Sequence, residues 1–283
     1  MILSLSLMAA CATTDTGRRQ LKLLPSSELQ AMGNQAFAEM KTKQPIEEDP
    51  RTNAYVQCIA TALARQVSRD PSAWQLAVFD EPSANAFALP GGNIGVHTGI
   101  LDVARTPDQL AAVVGHEMAH VTQEHANERV SQAFLAQGGL AAASAAMGKG
   151  GRDREIVLAA LGLGAQIGIL MPFGRTQETE ADVLGLEYMA RAGFDPRQAL
   201  DLWRNMEEMA EGGQVPEFLS THPSHQRRIQ TLEAHMDSAL ATYKKARAAG
   251  NIPNCERAPE RIGARSQNAA PFSRHASERV GTR

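Results

Sequence analysis

Cysteine is scarce in this chain, with three residues in 283. That is too few for a disulfide scaffold, and no two of them form the Cys-x-x-Cys pair of a zinc ribbon or redox site. Aromatic residues make up only 5%, which excludes a protein that holds nucleic acid by base stacking. Neither sign of charge dominates: 28 Lys and Arg face 31 Asp and Glu, for a net charge of −3. Nucleic-acid binding needs a clear basic excess, so no nucleic-acid partner is expected. No internal period is present, which excludes repeat architectures. What is plentiful is apolar material, 43% of residues. That is enough to bury a core and excludes wholesale disorder.

Residues 1–10 are almost all apolar or small and lead directly into Cys11, in the order Met8-Ala9-Ala10-Cys11. Small residues before a cysteine resemble a lipobox, so residues 1–11 are expected to be an export signal with Cys11 as the lipidation site. Lipidation would tether the chain to a membrane rather than thread it through one. Ala12 rather than Asp follows the cysteine, which by the bacterial sorting pattern directs a lipoprotein to the outer membrane. Residues 12–24 then read as a tether. In an oxidising periplasm Cys58 and Cys255 are a candidate disulfide pair. Two separate buried thiols is the other reading.

Helical periodicity dominates the rest. Leu29, Met32, Ala36 and Met40 share one face over 27–43, and Tyr55, Ile59, Leu63 and Val67 do so over 52–68. Alternation at Trp74, Leu76 and Val78 predicts a strand. Residues 86–97, with Pro90-Gly91-Gly92-Asn93 at the centre, predict a hairpin. Thr106-Pro107-Asp108-Gln109 is a helix start with a capping box, and that helix is expected to run to about Ala126. Residues 134–174 are rich in Ala and Gly, and predict a helical hairpin that is either a lid or a membrane-facing element. Helices are expected at 177–192, at 196–210 behind an Asp195-to-Gln198 capping box, and at 223–249. Residues 251–283 are expected to be a disordered tail. The fold class is α+β, mainly α-helical, with the chain from 25 to 250 as one domain.

The chemistry lies in His116-Glu117-Met118-Ala119-His120. At about 100° per residue, His116 and His120 lie one turn apart on one helix face, so both imidazoles reach one ion. Glu117 sits at the edge of that face, where a carboxylate can take a proton from water at the metal without ligating it. A chance match in a chain with eight histidines is on the order of one in a hundred. The cofactor expected is one Zn2+ per chain. A catalytic zinc takes three protein ligands, and Glu178-Thr179-Glu180-Ala181-Asp182 is the best source of the third. Glu178 and Asp182 share a helix face, Glu178 to ligate and Asp182 to hold a ligand histidine by its other ring nitrogen. Glu180 points elsewhere and is expected to be a solvated charge. His125, half a turn out of phase with His116, is expected to face away in a structural role. His97, at the hairpin end, reads as a strand-end polar residue.

Four motifs in order resemble one family: Asn85-Ala86-Phe87-Ala88-Leu89-Pro90-Gly91-Gly92, the His116–His120 motif, Glu178-x-x-Ala181-Asp182, and His222-Pro223-x-x-x-x-Arg228. They resemble the bacterial HtpX/BepA/LoiP-type zinc metallopeptidases, relatives of the CAAX prenyl proteases and the mitochondrial protease OMA, over residues 25–240. The likeness is greatest to the LoiP-like and BepA-like periplasmic lipoproteins. The resemblance implies a zincin-like (gluzincin) fold, with a small sheet beside the active-site helix. It implies zinc ligands His116, His120 and Glu178, general base Glu117 and an acidic partner, Asp182. The resemblance implies that His222 can occupy the zinc's open position and hold the enzyme latent, as the matching histidine does in BepA-like members. Oxyanion stabilisation by His222, with Arg228 nearby, is the other functional reading, and a plain helix start at Thr221-His222-Pro223 is the third. Strand addition along Asn85, Ala86, Phe87 and Ala88 would hold the substrate backbone. The expected protein is a periplasmic zinc endopeptidase that removes misfolded envelope proteins. A chaperone-like binding lipoprotein and a hydrolase of small amides or peptidoglycan crosslinks are the alternatives.

Overall fold

The computed structural model describes residues 11–68, 70–146, 173–222 and 225–256. The export signal before Cys11, the second arm of the 134–174 hairpin and the tail beyond Glu256 lie outside the described residues.

The chain opens with two short antiparallel strands, β1 (Cys11–Thr13) and β2 (Arg19–Leu21). Helices α1 (Ser26–Lys43) and α2 (Pro50–Val67) follow. A three-stranded sheet is made by β3 (Gln75–Phe79), β4 (Ala86–Leu89) and β5 (Asn93–His97). After the one-turn α3 (Ile100–Val103) come α4 (Pro107–Thr122) and α5 (His125–Ala146). The remaining helices are α6 (Arg175–Ala192), α7 (Gln198–Glu211), the one-turn α8 (Phe218–Thr221) and α9 (His225–Ala248). No helix among the described residues is long and apolar enough to cross a membrane.

The sheet order is β3-β5-β4, with β5 parallel to β3 and antiparallel to β4. Strand β4 is therefore an edge. All five residues of β5 are buried, because it is central in the sheet and covered on both faces. Burial in β3 likewise runs on through Ala77, Val78 and Phe79 instead of alternating. Helix α4 is the core element. Every residue from Gln109 to His120 is buried, enclosed by α2, α6, α7 and the sheet. Thr106 caps it by accepting from the Gln109 N–H, with Pro107 at the first turn. The other half of the expected box differs: the Gln109 side chain accepts from Arg105 N–H, one residue earlier.

Several expectations need correction. Residues 12–24 are no free tether. The β1–β2 hairpin is docked on the domain, Thr14 and Gln20 are buried, and Arg18 reaches carboxylates on two helices. Long-range ion pairs of this kind leave no trace in local periodicity. The buried stripe of α1 is Leu29, Gly33 and Phe37, one position round from the expected face. A Cβ at Gly33 would meet the Pro90 carbonyl oxygen at 2.1 Å, so α1 sits directly on the β4–β5 turn. Helix α4 ends at Thr122 rather than Ala126. Glu124 has φ of 50°, a left-handed turn that breaks the helix and lets α5 begin at His125. Helix α7 starts at Gln198, two residues late: Asp195 accepts from Arg197 N–H, so Asp195 closes a turn before the helix instead of capping it. Residues of the expected disordered tail up to Glu256 are placed. Cys255 is buried and bonded to Cys58, with 5.7 Å between their Cα atoms.

Candidate metal centre

Two glycines set the geometry. Helices α4 and α6 cross at Gly115 and Gly185. A Cβ on Gly185 would lie 2.8 Å from His116 N, and one on Gly115 would lie 3.0 Å from Gly185 O. Only bare backbone allows this approach. It brings the His116–His120 face of α4 against the Glu178–Asp182 face of α6.

Among the described residues one group suits a metal ion: His116, His120, Glu178 and His222, all buried, with ligand atoms within 4.8 Å of one another. His116 Nε2 lies 3.0 Å from His120 Nε2 and 3.5 Å from Glu178 Oε2. His120 Nε2 lies 3.4 Å from Glu178 Oε1. His222 Nδ1 completes the set, 3.3 Å from His116 Nε2 and 2.9 Å from Glu178 Oε1. Tetrahedral zinc with bonds of about 2.0–2.1 Å to nitrogen holds neighbouring donors about 3.3 Å apart. Three imidazoles and one carboxylate at these separations are a donor set that zinc fits.

The surrounding charges favour the same assignment. Burial drives the His120 imidazole well below its ordinary pKa, so it is neutral with a lone pair to give. Burial pushes the Glu178 carboxyl up, but His222 and Arg228 outweigh it and hold it well below the usual range. Asp182 Oδ1 stands 3.2 Å from His116 Nδ1, the contact expected of a carboxylate that orients a ligand. Arg228 grips Asp182 through Nε and Nη2 and reaches Glu178 Oε2 at 2.7 Å. Glu117 stays outside the donor set. Its Oε1 lies 3.2 Å from His222 Nε2, and its Oε2 accepts from the Ala88 N–H at 3.0 Å. Helix α4 therefore joins the β4 edge to the metal group through one carboxylate.

His222 follows α8, stacked on Phe218 with ring centres 4.4 Å apart. Burial opposes a charge there, but the Glu117 and Glu178 carboxylates outweigh it and raise its pKa to about 9 in the metal-free protein. A raised pKa adds stability that is complete below the ordinary 6.5 and lost as pH climbs through about 9. With chelator present, the melting temperature of the wild type is expected to fall across that interval more than that of His222→Gln. Parallel profiles would contradict the pairing.

Several site residues were not foreseen. Phe173 lies flat on His120, ring centres 3.7 Å apart, and carries the Arg129 guanidinium at 3.7 Å on the ring. Glu180 is no solvated charge. It is buried and takes bonds from His125, Arg18 and Thr16, which hold its pKa to about 2 against the opposing effect of burial. His125 does not face away. The helix carrying His116 ends before it, so helical phase does not extend to it, and its Nδ1 lies 2.8 Å from His120 Nδ1. It is not among the four donors. His97 bonds Ser83 Oγ at 2.8 Å and is likewise outside the donor group. Beside the metal group, a cleft opens between the start of α1, the end of β4 and Phe173.

The sequence model of Peptidase family M48 matches residues 50–236. Mitochondrial metalloendopeptidase OMA1 of Schizosaccharomyces pombe is 36% identical over 190 residues, 66% of this chain and 54% of that protein. The mitochondrial metalloendopeptidase OMA1 of Bos taurus is 34% identical over 250 residues, 84% of this chain and 46% of its own length. The beta-barrel assembly-enhancing protease of Yersinia pestis is 28% identical over 226 residues, 76% of this chain and 45% of that protein. The chain thus spans about half the length of these relatives. The matched region takes in the α2 helix, the sheet, both halves of the donor set and His222. With its zincin-like arrangement of a His-Glu-x-x-His helix beside a small sheet, the chain belongs to peptidase family M48.

Proposed function

We propose that this protein is a zinc endopeptidase of the bacterial cell envelope that cleaves unfolded or misfolded proteins. The observation that carries this reading is the contact set of Glu117. One carboxylate stands beside a zinc-compatible donor group and also touches the outer edge of β4.

His116, His120 and Glu178 would hold the ion. Bound there, zinc supplies Lewis acidity, polarising the scissile carbonyl and acidifying a water molecule. The outward N–H of Ala88, in the segment Asn85 to Ala88, receives the substrate backbone as an added strand once Glu117 releases it. Main-chain pairing suits unfolded chains, because it reads few side chains. Glu117 accepts the proton of the attacking water and returns it to the leaving amine. Asp182, clamped by Arg228, keeps the His116 ring in the orientation that turns Nε2 toward the donor group.

His222 is the latch of this reading. It stands where a fourth donor would, and it occupies Glu117 at the same time. With it in place the base is engaged and the open position is filled. The companion reading, a binding lipoprotein with a latent site, rests on this same contact. The Cys11 thioether lipid would anchor the mature chain on the periplasmic face of the outer membrane. Since β1 begins at Cys11, the domain would ride close to that surface.

The test is digestion of a reduced, unfolded protein by wild type and by His222→Ala, each with and without chelator. Chelator-sensitive cleavage that is faster in His222→Ala supports the latched peptidase. Slower cleavage by His222→Ala moves His222 to oxyanion stabilisation. No cleavage by either, with muropeptides cut instead, sinks the endopeptidase reading.

A further inference from the structure

We propose that His125 and Glu180 are positioning residues for the zinc ligand His120, and that the N-terminal β1–β2 hairpin holds them in place. The inference rests on the zinc site proposed above and adds a path of contacts leading away from it. His120 Nδ1 lies 2.8 Å from His125 Nδ1, and His125 Nε2 lies 3.1 Å from Glu180 Oε2. Glu180 in turn accepts from Arg18 Nε at 2.8 Å and from Thr16 Oγ1. Arg18 also spans both oxygens of Glu128 on α5, at 2.7 and 2.8 Å. Gln177 of α6 donates to the same Glu128 at 2.8 Å.

The order of protons along this path follows from its far end. Glu180 is paired with a guanidinium and takes donors on both sides, so it acts only as an acceptor. His125 Nε2 must then carry a hydrogen and donate to it. In a neutral His125 that leaves Nδ1 as the acceptor, and His120 Nδ1 must donate. His120 Nε2 is therefore the bare nitrogen, and it is the atom that lies within 3.4 Å of the other two proposed zinc ligands, His116 and Glu178. Metal histidines are held in one tautomer by a partner on their other nitrogen, commonly a carboxylate. Here an imidazole stands between the ligand and the carboxylate. His116 Nδ1 has a carboxylate beside it directly, Asp182 Oδ1 at 3.2 Å, with Arg228 Nη2 at 2.9 Å from the same nitrogen.

The hairpin is what makes the path rigid. Glu124, at φ of 50°, reverses the chain so that His125, completely buried, returns beneath His120. Glu180 is on α6 and His125 on α5. Arg18, bonded to Glu180 and Glu128, and Gln177, bonded to Glu128 and the His125 carbonyl, tie those helices together at this depth. Residues next to the proposed membrane anchor thus reach a metal ligand in three contacts.

The experiment is zinc titration of the full chain against a competing chromophoric chelator. His125→Phe keeps a buried ring and removes the relay, and is expected to bind zinc about 10–100-fold more weakly. His125→Asn, whose carbonyl oxygen can take the Nδ1 place, is expected to recover most of that loss. Glu180→Gln and Arg18→Ala, both remote from the ion, are expected to weaken binding in the same direction and by less. Histidine 15N spectra of the zinc-free protein should show His120 protonated at Nδ1 in wild type and a mixed tautomer in His125→Phe. Affinity of His125→Phe and Glu180→Gln within twofold of wild type would overturn the proposal, as would an unchanged His120 tautomer. His116→Ala separates the two layers of argument: if it retains zinc, the site itself is wrong. If it loses zinc while His125→Phe and Glu180→Gln do not, only the positioning role fails. Should His125→Phe not fold, Glu180→Gln carries the decision alone.

Discussion

Replacing Glu117 with Gln is expected to lower the rate of peptide hydrolysis by about 10²–10⁴-fold while zinc remains bound. Glutamine matches the carboxylate in shape, so the Ala88 N–H keeps an acceptor. His116, His120 and Glu178 are untouched, so the donor set survives. What would disappear, on the proposed mechanism, is the group that takes the proton of the attacking water, and Glu117 is buried away from bulk solvent that could serve as a substitute base. The pattern expected is a fall in kcat with metal content near one zinc per chain. Full activity in Glu117→Gln would remove the mechanism proposed here. Loss of zinc together with activity would show that Glu117 helps to hold the ion instead.

The second large effect concerns stability. Arg228 is 3% exposed and lies between two buried carboxylates, Asp182 and Glu178. It also rests on the Trp203 ring at 4.0 Å and donates to the backbone carbonyl of His222. Met fills a similar volume without charge. Arg228→Met leaves both carboxylates buried beside an apolar group, and removing one partner of such a pair costs about 3–5 kcal/mol. The loss should be greatest in zinc-free protein, because the ion offers Glu178 a second counter-charge. Urea unfolding with chelator present measures it. Combining Arg228→Met with Asp182→Asn should cost less than the two changes added together, since the double variant strands one charge fewer. A single-variant loss below about 1 kcal/mol would show that Arg228 is dispensable to the folded state.

The motif residues were legible because their chemistry depends on one helical turn. His116 with His120, and Glu178 with Asp182, each need only the four-residue repeat of a helix to share a face. The start of α4 was equally local, Thr106 and Pro107 doing what their side chains do at any helix start. Local order is no guide across a break in the chain. Counting turns from His116 to His125 assumed an unbroken helix, and Glu124 ends it. Reading residues 12–24 as a tether relied on their lack of periodicity, but a three-residue strand pair has almost none. The face of α1 was misjudged because Gly33 adds nothing to a hydrophobic count and still makes the closest contact.

The sequence by itself determined the shared helix face of His116 and His120, that of Glu178 and Asp182, the β4–β5 hairpin and the predominance of helix, since each is written within a few residues of one segment. Only the tertiary structure decided how α4 and α6 meet, because their separation depends on Gly115 facing Gly185, 70 positions on. It alone placed Arg18 on Glu180 across 162 positions and on Glu128 across 110. It also set His222 against Glu117 and joined Cys58 to Cys255. Buried charges must find partners wherever the fold offers them, and a partner that distant leaves no period in the chain.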